Sequence, residues 1–169
     1  FYYFHYMIKY SNQQLKYIEW KKKKSTKLIA CAGSGKTRCI IGRMRYMVER
    51  GLYKANEILM ITFSRNTQKE FVEKIKALKA TMLDQENVRT IDSFAKHILN
   101  DDTDIDILSY AFRKYLETSN VKELMKNKRL LHIKTIFVDE AQDLNEDQFI
   151  ILKKMIDRFG CTIHLVGDP

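Results

Sequence analysis

Several common chemistries are missing from this 169-residue chain. Its cysteines, Cys31, Cys39 and Cys161, are odd in number and stand at no metal-ligand spacing, which excludes a disulfide framework or a zinc site. A reducing compartment fits best, and the chain reads as soluble and intracellular. The four histidines, His5, His97, His132 and His164, form no HExxH or other paired arrangement and read as structural. The opening FYYFHYMIKY is aromatic and apolar but too short to span a bilayer, and no small-residue cleavage site follows it. No targeting signal is evident, so no membrane partner is expected. No internal repeat occurs, and the single basic run, KKKK at 21–24, suits a helix or a solvated linker equally.

What is present suffices for a domain of ordinary size. Hydrophobic residues make up 45% of the chain and aromatics 11%, enough to bury a core and to exclude disorder as its whole description. The formal charge of +9 and the isoelectric point near 9.4 favour a polyanionic partner, with nucleic acid the leading class.

Apolar patterning alternates between strands and helices. KLIA, a run ending at glycines, precedes KTRCIIGRMRYMVERG, whose Ile40, Met44, Met47 and Val48 fall on one helical face, with Gly51 as a stop. EILMITF reads as a buried strand, and SRNTQKEFVEKIKALKA as a helix opened by Ser64 or Asn66, with Phe71, Ile75 and Leu78 as its stripe. VRTI followed by DSFAKHILN predicts strand, turn and helix, with Asp92 or Ser93 as the cap. The acidic DDTDID at 101–106 opens a helix expected to run through residue 117, and a second helix is expected around 120–130. IKTIFV is a strand, NEDQFIILKKMIDRFG an amphipathic helix closed by Gly160, and CTIHLV a final strand. This alternation predicts an α/β fold, a parallel sheet flanked by helices.

The stretch ACAGSGKT carries the clearest chemistry. A phosphate cradle needs inward backbone N–H groups, glycines that allow close approach and a helix amino terminus behind them, and all three follow the first strand. Ala32, Gly33, Ser34 and Gly35 form the loop, Lys36 reaches the β and γ phosphates of ATP, and Thr37 completes a magnesium shell. Ala30 stands where the generic pattern begins with glycine. A second half should bring carboxylates to a strand end, and TIFVDEAQD does so: Asp139 to hold Mg2+ and Glu140 to position and polarise the attacking water.

Together these residues resemble the first motor domain of a superfamily 1 helicase of the UvrD/Rep type, a P-loop NTPase of RecA-like fold, from about Tyr10 to the last residue. SNQQLKYI resembles the glutamine motif that reads adenine, with Gln14 at the matching position. AGSGKTR resembles motif I, ITFSRNTQKEF motif Ia, TIDSF motif Ib, VDEAQD motif II, and LVGDP the start of motif III. The resemblance implies that Gln142 contacts the γ phosphate and couples hydrolysis to motion, and that Arg38 lies near the base or sugar. It implies further that Thr62, Phe63, Ser64 and Asn66, with Thr90, Ser93 and Phe94, line a path for single-stranded DNA. Phe63 and Phe94 suit the core as well as a stacking platform.

The chain departs from the family in motif Ib, where Asp92 replaces the usual histidine: it either caps its helix and points away or weakens binding. Motif Ia reads SRNTQ in place of threonine-asparagine-lysine-alanine-alanine. About 45 residues separate Phe94 from Asp139, room for only a short helical insert, about 101–131, where relatives carry a whole subdomain. Residues 1–9 read as an extension, the part before Met7 being upstream translation or a cloning remnant, and 10–169 as the ATP-binding domain, a fragment of a longer protein whose second motor domain lies elsewhere. Alone it is expected to bind nucleotide and hydrolyse it feebly. The motor of a helicase-nuclease, a nucleotide- or DNA-binding fragment without turnover, and a non-helicase P-loop ATPase are the competing readings. Stacking and phosphate contacts leave RNA open as substrate.

Overall fold

The computed structural model describes residues 9–31, 33, 35–100 and 104–169. Ala32 and Ser34 of the glycine loop, and the first three residues of the acidic segment, lie outside the described residues.

Five parallel strands form one sheet: β1 (Thr26–Ile29), β2 (Ile58–Thr62), β3 (Val88–Thr90), β4 (Thr135–Val138) and β5 (Thr162–Gly167), in spatial order β1-β5-β4-β2-β3. Period-two alternation sends side chains to opposite faces, and both are covered. Leu59, Ile61, Ile136 and Val138 meet one helical layer, while Ile58, Met60 and Phe137 meet the other. The second layer comprises α2 (Lys36–Glu49) and α3 (Arg65–Ala77), which present Ile40, Met44, Met47, Phe71 and Ile75. The first comprises α4 (Ile91–Leu99), α5 (Leu108–Thr118), α6 (Val121–Lys126), α7 (Lys128–His132) and α8 (Glu146–Phe159). The expected α/β architecture is thus observed, and among the described residues no helix is long and apolar enough to cross a membrane.

Three local details differ from the sequence reading. The cap of α4 is Thr90, not Asp92 or Ser93: the helix starts directly from the strand, so the Thr90 hydroxyl is the one that accepts from Ser93 N at 3.1 Å. At α3 the alternatives resolve to Ser64, whose hydroxyl accepts from Thr67 N at 3.1 Å. The helix expected around 120–130 is two helices. Asn127 breaks it, accepting from Leu130 N at 3.2 Å to start α7 and donating its amide to Ile98 O at 3.2 Å. The KKKK run is exposed coil, the linker alternative.

A short helix, α1 (Asn12–Ile18), lies on α2. Its carboxyl end is held from inside the domain by Arg43 of α2, which is fully buried and donates Nη1 to the carbonyl oxygens of Ile18 (2.9 Å) and Trp20. Beneath β1, β4 and β5 runs a buried polar network. His164 stacks on Phe137 with centroids 4.4 Å apart, and its ring nitrogens meet the Thr26 hydroxyl at 2.7 Å and the Thr135 hydroxyl at 2.9 Å. Burial pushes its pKa down to about 4, which makes it the structural histidine expected.

Candidate functional site

The carboxyl ends of the strands carry two concavities. In parallel α/β sheets this is where ligands bind, because loops leave the strands there and helix amino termini face inward. The first is a cleft of about 470 Å³ bounded by Gly33, Gly35, Lys36 and Thr37 on one side and by Asp139 and Glu140 on the other. The loop between β1 and α2 thus brings motif I against the carboxylates that follow β4.

Gly35 has φ 81°, a left-handed conformation that a side chain would strain, and Gln14 Nε2 stands 3.5 Å from where its Cβ would be. Gln14 itself closes a capping box at α1, accepting from Ser11 N at 2.8 Å. Lys36, with a side chain only 10% exposed, donates to Asp168 Oδ1 at 2.5 Å and Glu140 Oε1 at 3.5 Å. These partners, Asp168 foremost, hold its ammonium above the ordinary lysine pKa. Glu140 is placed by an unusual backbone, φ 49°, and its other oxygen accepts from Gln142 Nε2 at 2.6 Å. The same Gln142 amide lies where a Gly167 side chain would be, so a larger residue at the end of β5 would push Gln142 aside. Asp139 accepts from Glu140 N at 2.9 Å, and burial raises its carboxyl above the usual range. A penalised carboxylate in a cleft that Thr37 also lines is a donor set that a hard cation would relieve. Among the described residues no cluster of three metal-ligating side chains occurs, so any ion here depends on oxygens from a ligand as well. Arg38 also lines the cleft, with its guanidinium 5.4 Å from the Tyr10 ring centroid and Nη2 donating to Lys9 O at 3.1 Å.

The second concavity, about 830 Å³, runs between the start of α3, the end of β3, α4 and α7. Phe63, Ser64, Thr90 and Ser93 line it. Phe63, half-buried, also borders the cleft, so one ring stands between the two cavities. Asn66 is exposed on the first turn of α3 and lines neither. Two expected contacts are corrected. Phe94 is 3% exposed and lies edge-on to Phe112 with centroids 5.6 Å apart, so its ring belongs to the core and offers no face to a base. Thr62 is also 3% exposed, its hydroxyl turned towards Ser64 O at 3.5 Å. Asp92 lines the groove, with Oδ1 accepting from Ser109 Oγ at 3.2 Å.

Sequence reasoning missed Asp168 as the partner of Lys36, although it closes the quoted LVGDP motif. It also missed the basic lining of the groove, Arg65, Arg89, Lys96 and Arg129.

A glycine loop between the first strand of the sheet and its helix, facing acids at the end of another parallel strand, defines a P-loop nucleotide-binding domain of the RecA-like class. The chain matches the UvrD/REP helicase N-terminal domain over residues 10–130 and 100–169, and it belongs to that family. It is 44% identical, over 95% of its length, to a protein of Acanthamoeba polyphaga mimivirus named as an ATP-dependent DNA helicase. It is also 27% identical, over 71% of its length, to a Mycoplasma genitalium protein named as a DNA helicase II homologue. The chain spans 24% of the length of the first and 18% of the second.

Proposed function

We propose that residues 10–169 form the ATP-binding half of a DNA helicase or translocase motor, in which ATP hydrolysis drives movement on single-stranded DNA. The observation that carries this reading is the convergence of Lys36, Thr37, Asp139 and Glu140 on one cleft. Gly33 and Gly35, with Ala32 and Ser34 of the same loop, cradle the phosphates; Lys36 leaves Asp168 to meet the β and γ oxygens; and Gln14 and Arg38 address the base and sugar side. Thr37 and Asp139 would hold Mg2+, which supplies charge neutralisation on the phosphates when bound. Glu140 orients a water and accepts its proton, and Gln142, already tied to Glu140, senses the γ phosphate. The groove beside the cleft takes the DNA strand, with Phe63 offering a face to a base and Ser64, Thr90 and Ser93 hydrogen bonds to the backbone, while Asn66 stands exposed outside it. A second motor domain would complete the site, since an arginine finger supplies about 10³–10⁵ in rate in related phosphoryl transfer.

Titration with a fluorescent ATP analogue and magnesium tests the cleft. Lys36→Ala is expected to weaken binding about 100-fold, as befits loss of charge-assisted contacts to phosphate. Equal affinity in both proteins would remove the phosphate loop from the reading.

A further inference from the structure

Two arginines of the groove lie outside every motif of the family. Arg89 precedes motif Ib on β3, and Arg129 comes from α7 in the short insert, yet both line one wall. Arg129 is spent on neutral oxygens, donating Nη1 to His97 O at 2.9 Å and to Asn100 Oδ1 at 3.3 Å. Arg89 is half-buried: Nη1 reaches Ser93 Oγ at 3.5 Å, and its Nε is shut from solvent with no hydrogen-bond partner among the described residues. Among the described residues neither arginine forms a salt bridge. Instead they oppose each other. Burial lowers the Arg89 pKa, Glu86 and Asp84 of the preceding turn offset this, and Arg129 lowers it further. His97, lined up beside them, is depressed by burial first and then by both arginines.

A half-buried guanidinium with an unpartnered Nε, beside a second arginine that is exposed and held only by neutral oxygens, leaves donors and charge that an anion entering the groove can take up. Asp92, standing where the family has a histidine, contributes a negative charge to the same groove and no donor. We propose that Arg89 and Arg129 form a phosphate clamp for the backbone of single-stranded DNA, supplying from β3 and the helical insert the cationic contact that motif Ib lacks here. This rests on the reading of the groove as the DNA path. The guanidinium geometry suits a phosphodiester, because each planar fork can meet two oxygens.

The test is the salt dependence of binding of a labelled oligothymidylate of about 16 nucleotides to the whole chain, between about 50 and 200 mM salt. Removing one arginine–phosphate interaction should lower the slope of log affinity against log salt by about 0.7, with affinity at low salt falling about 5- to 10-fold. Arg129→Gln is the principal variant, because this exposed side chain can be changed without entering the core. Arg129→Lys keeps the charge and should restore most of the slope, while Lys153→Gln, an exposed change on α8 that removes the same net charge, should leave it unaltered. Arg89→Gln, checked for folding by thermal melting, should behave like Arg129→Gln. A wild type that binds, with Arg129→Gln and Lys153→Gln giving the same slope, would overturn the clamp and spare the DNA path. A wild type that binds no oligothymidylate at any salt would overturn the path and the clamp together.

Discussion

The cleft and the groove share the Phe63 wall and are opposites in charge organisation. In the cleft the ionised groups satisfy one another: Lys36 holds Asp168 and Glu140, and Glu140 also holds Gln142. In the groove Arg89 and Arg129 repel, and Asp92 turns to a serine hydroxyl rather than to either of them. The cleft is therefore preset, and a nucleotide must exchange protein contacts for its own. The arginines of the groove form no salt bridge among the described residues, so a polyanion can bind them without displacing one. This difference predicts that DNA binding is far more salt-sensitive than nucleotide binding.

Three changes would break or sharpen that contrast. The largest concerns Glu140. Glu140→Gln keeps the shape of the cleft and removes the proton acceptor, so single-turnover ATP hydrolysis should fall about 10²–10³-fold, in the range for loss of one well-placed catalytic group. Nucleotide affinity should change little; a variant that hydrolyses at the wild-type rate would take Glu140 out of the chemistry.

The next concerns what lies beneath the two sites. The cleft's strands β1, β4 and β5 rest on the His164 network, whereas the groove's β2 and β3 rest on apolar side chains. His164 titrates near 4 in the folded chain, against an ordinary 6.5, so between these values the unfolded state binds the extra proton. Stability is thus complete above about pH 6.5 and is lost as pH falls towards 4, by about 3 kcal/mol in all. Urea denaturation at pH 7 and at pH 4.5 reads this directly. Superimposable curves would mean that the imidazole charges in place at no cost.

The smallest effect is expected from Asp168→Asn. It removes the strongest partner of Lys36 and leaves Glu140, so the ammonium pKa should fall and nucleotide affinity rise a few-fold, by the modest free energy of a partly exposed ion pair. A lower affinity would show that Asp168 helps to receive the nucleotide and does not compete with it.

Contacts within one segment were legible in the sequence, and contacts between distant segments were not. The runs ILMIT and TIFV declared buried strands because every position is apolar or small enough to be covered on both faces. Motifs I and II fell on the loops after β1 and β4 because their glycines and acids interrupt those runs. Phe94 misled in part: a stripe of apolar residues on α4 shows that one face is buried, but a motif position alone does not say on which side of that boundary a ring falls. The run VRTI predicts a strand at Thr90, and its capping role follows only from the helix starting directly at Ile91, with no intervening turn. Lys36 meets Asp168 because β1 and β5 are neighbours in the sheet, and Arg129 shares a groove with Arg89 because α7 packs against α4, neither of which any single segment encodes.

Arg43 joins the helix that carries Gln14 to the helix that begins at the phosphate loop, through hydrogen bonds sealed from water. Buried contacts of this kind transmit displacement, since a well-packed interior has no slack to absorb it. On the proposed reading, whatever shift a triphosphate imposes on the start of α2 is felt in the helix that carries Gln14, and the free energies of binding adenosine and tripolyphosphate separately should not sum to that of ATP. On that reading, base recognition and phosphate recognition would be a single mechanical event.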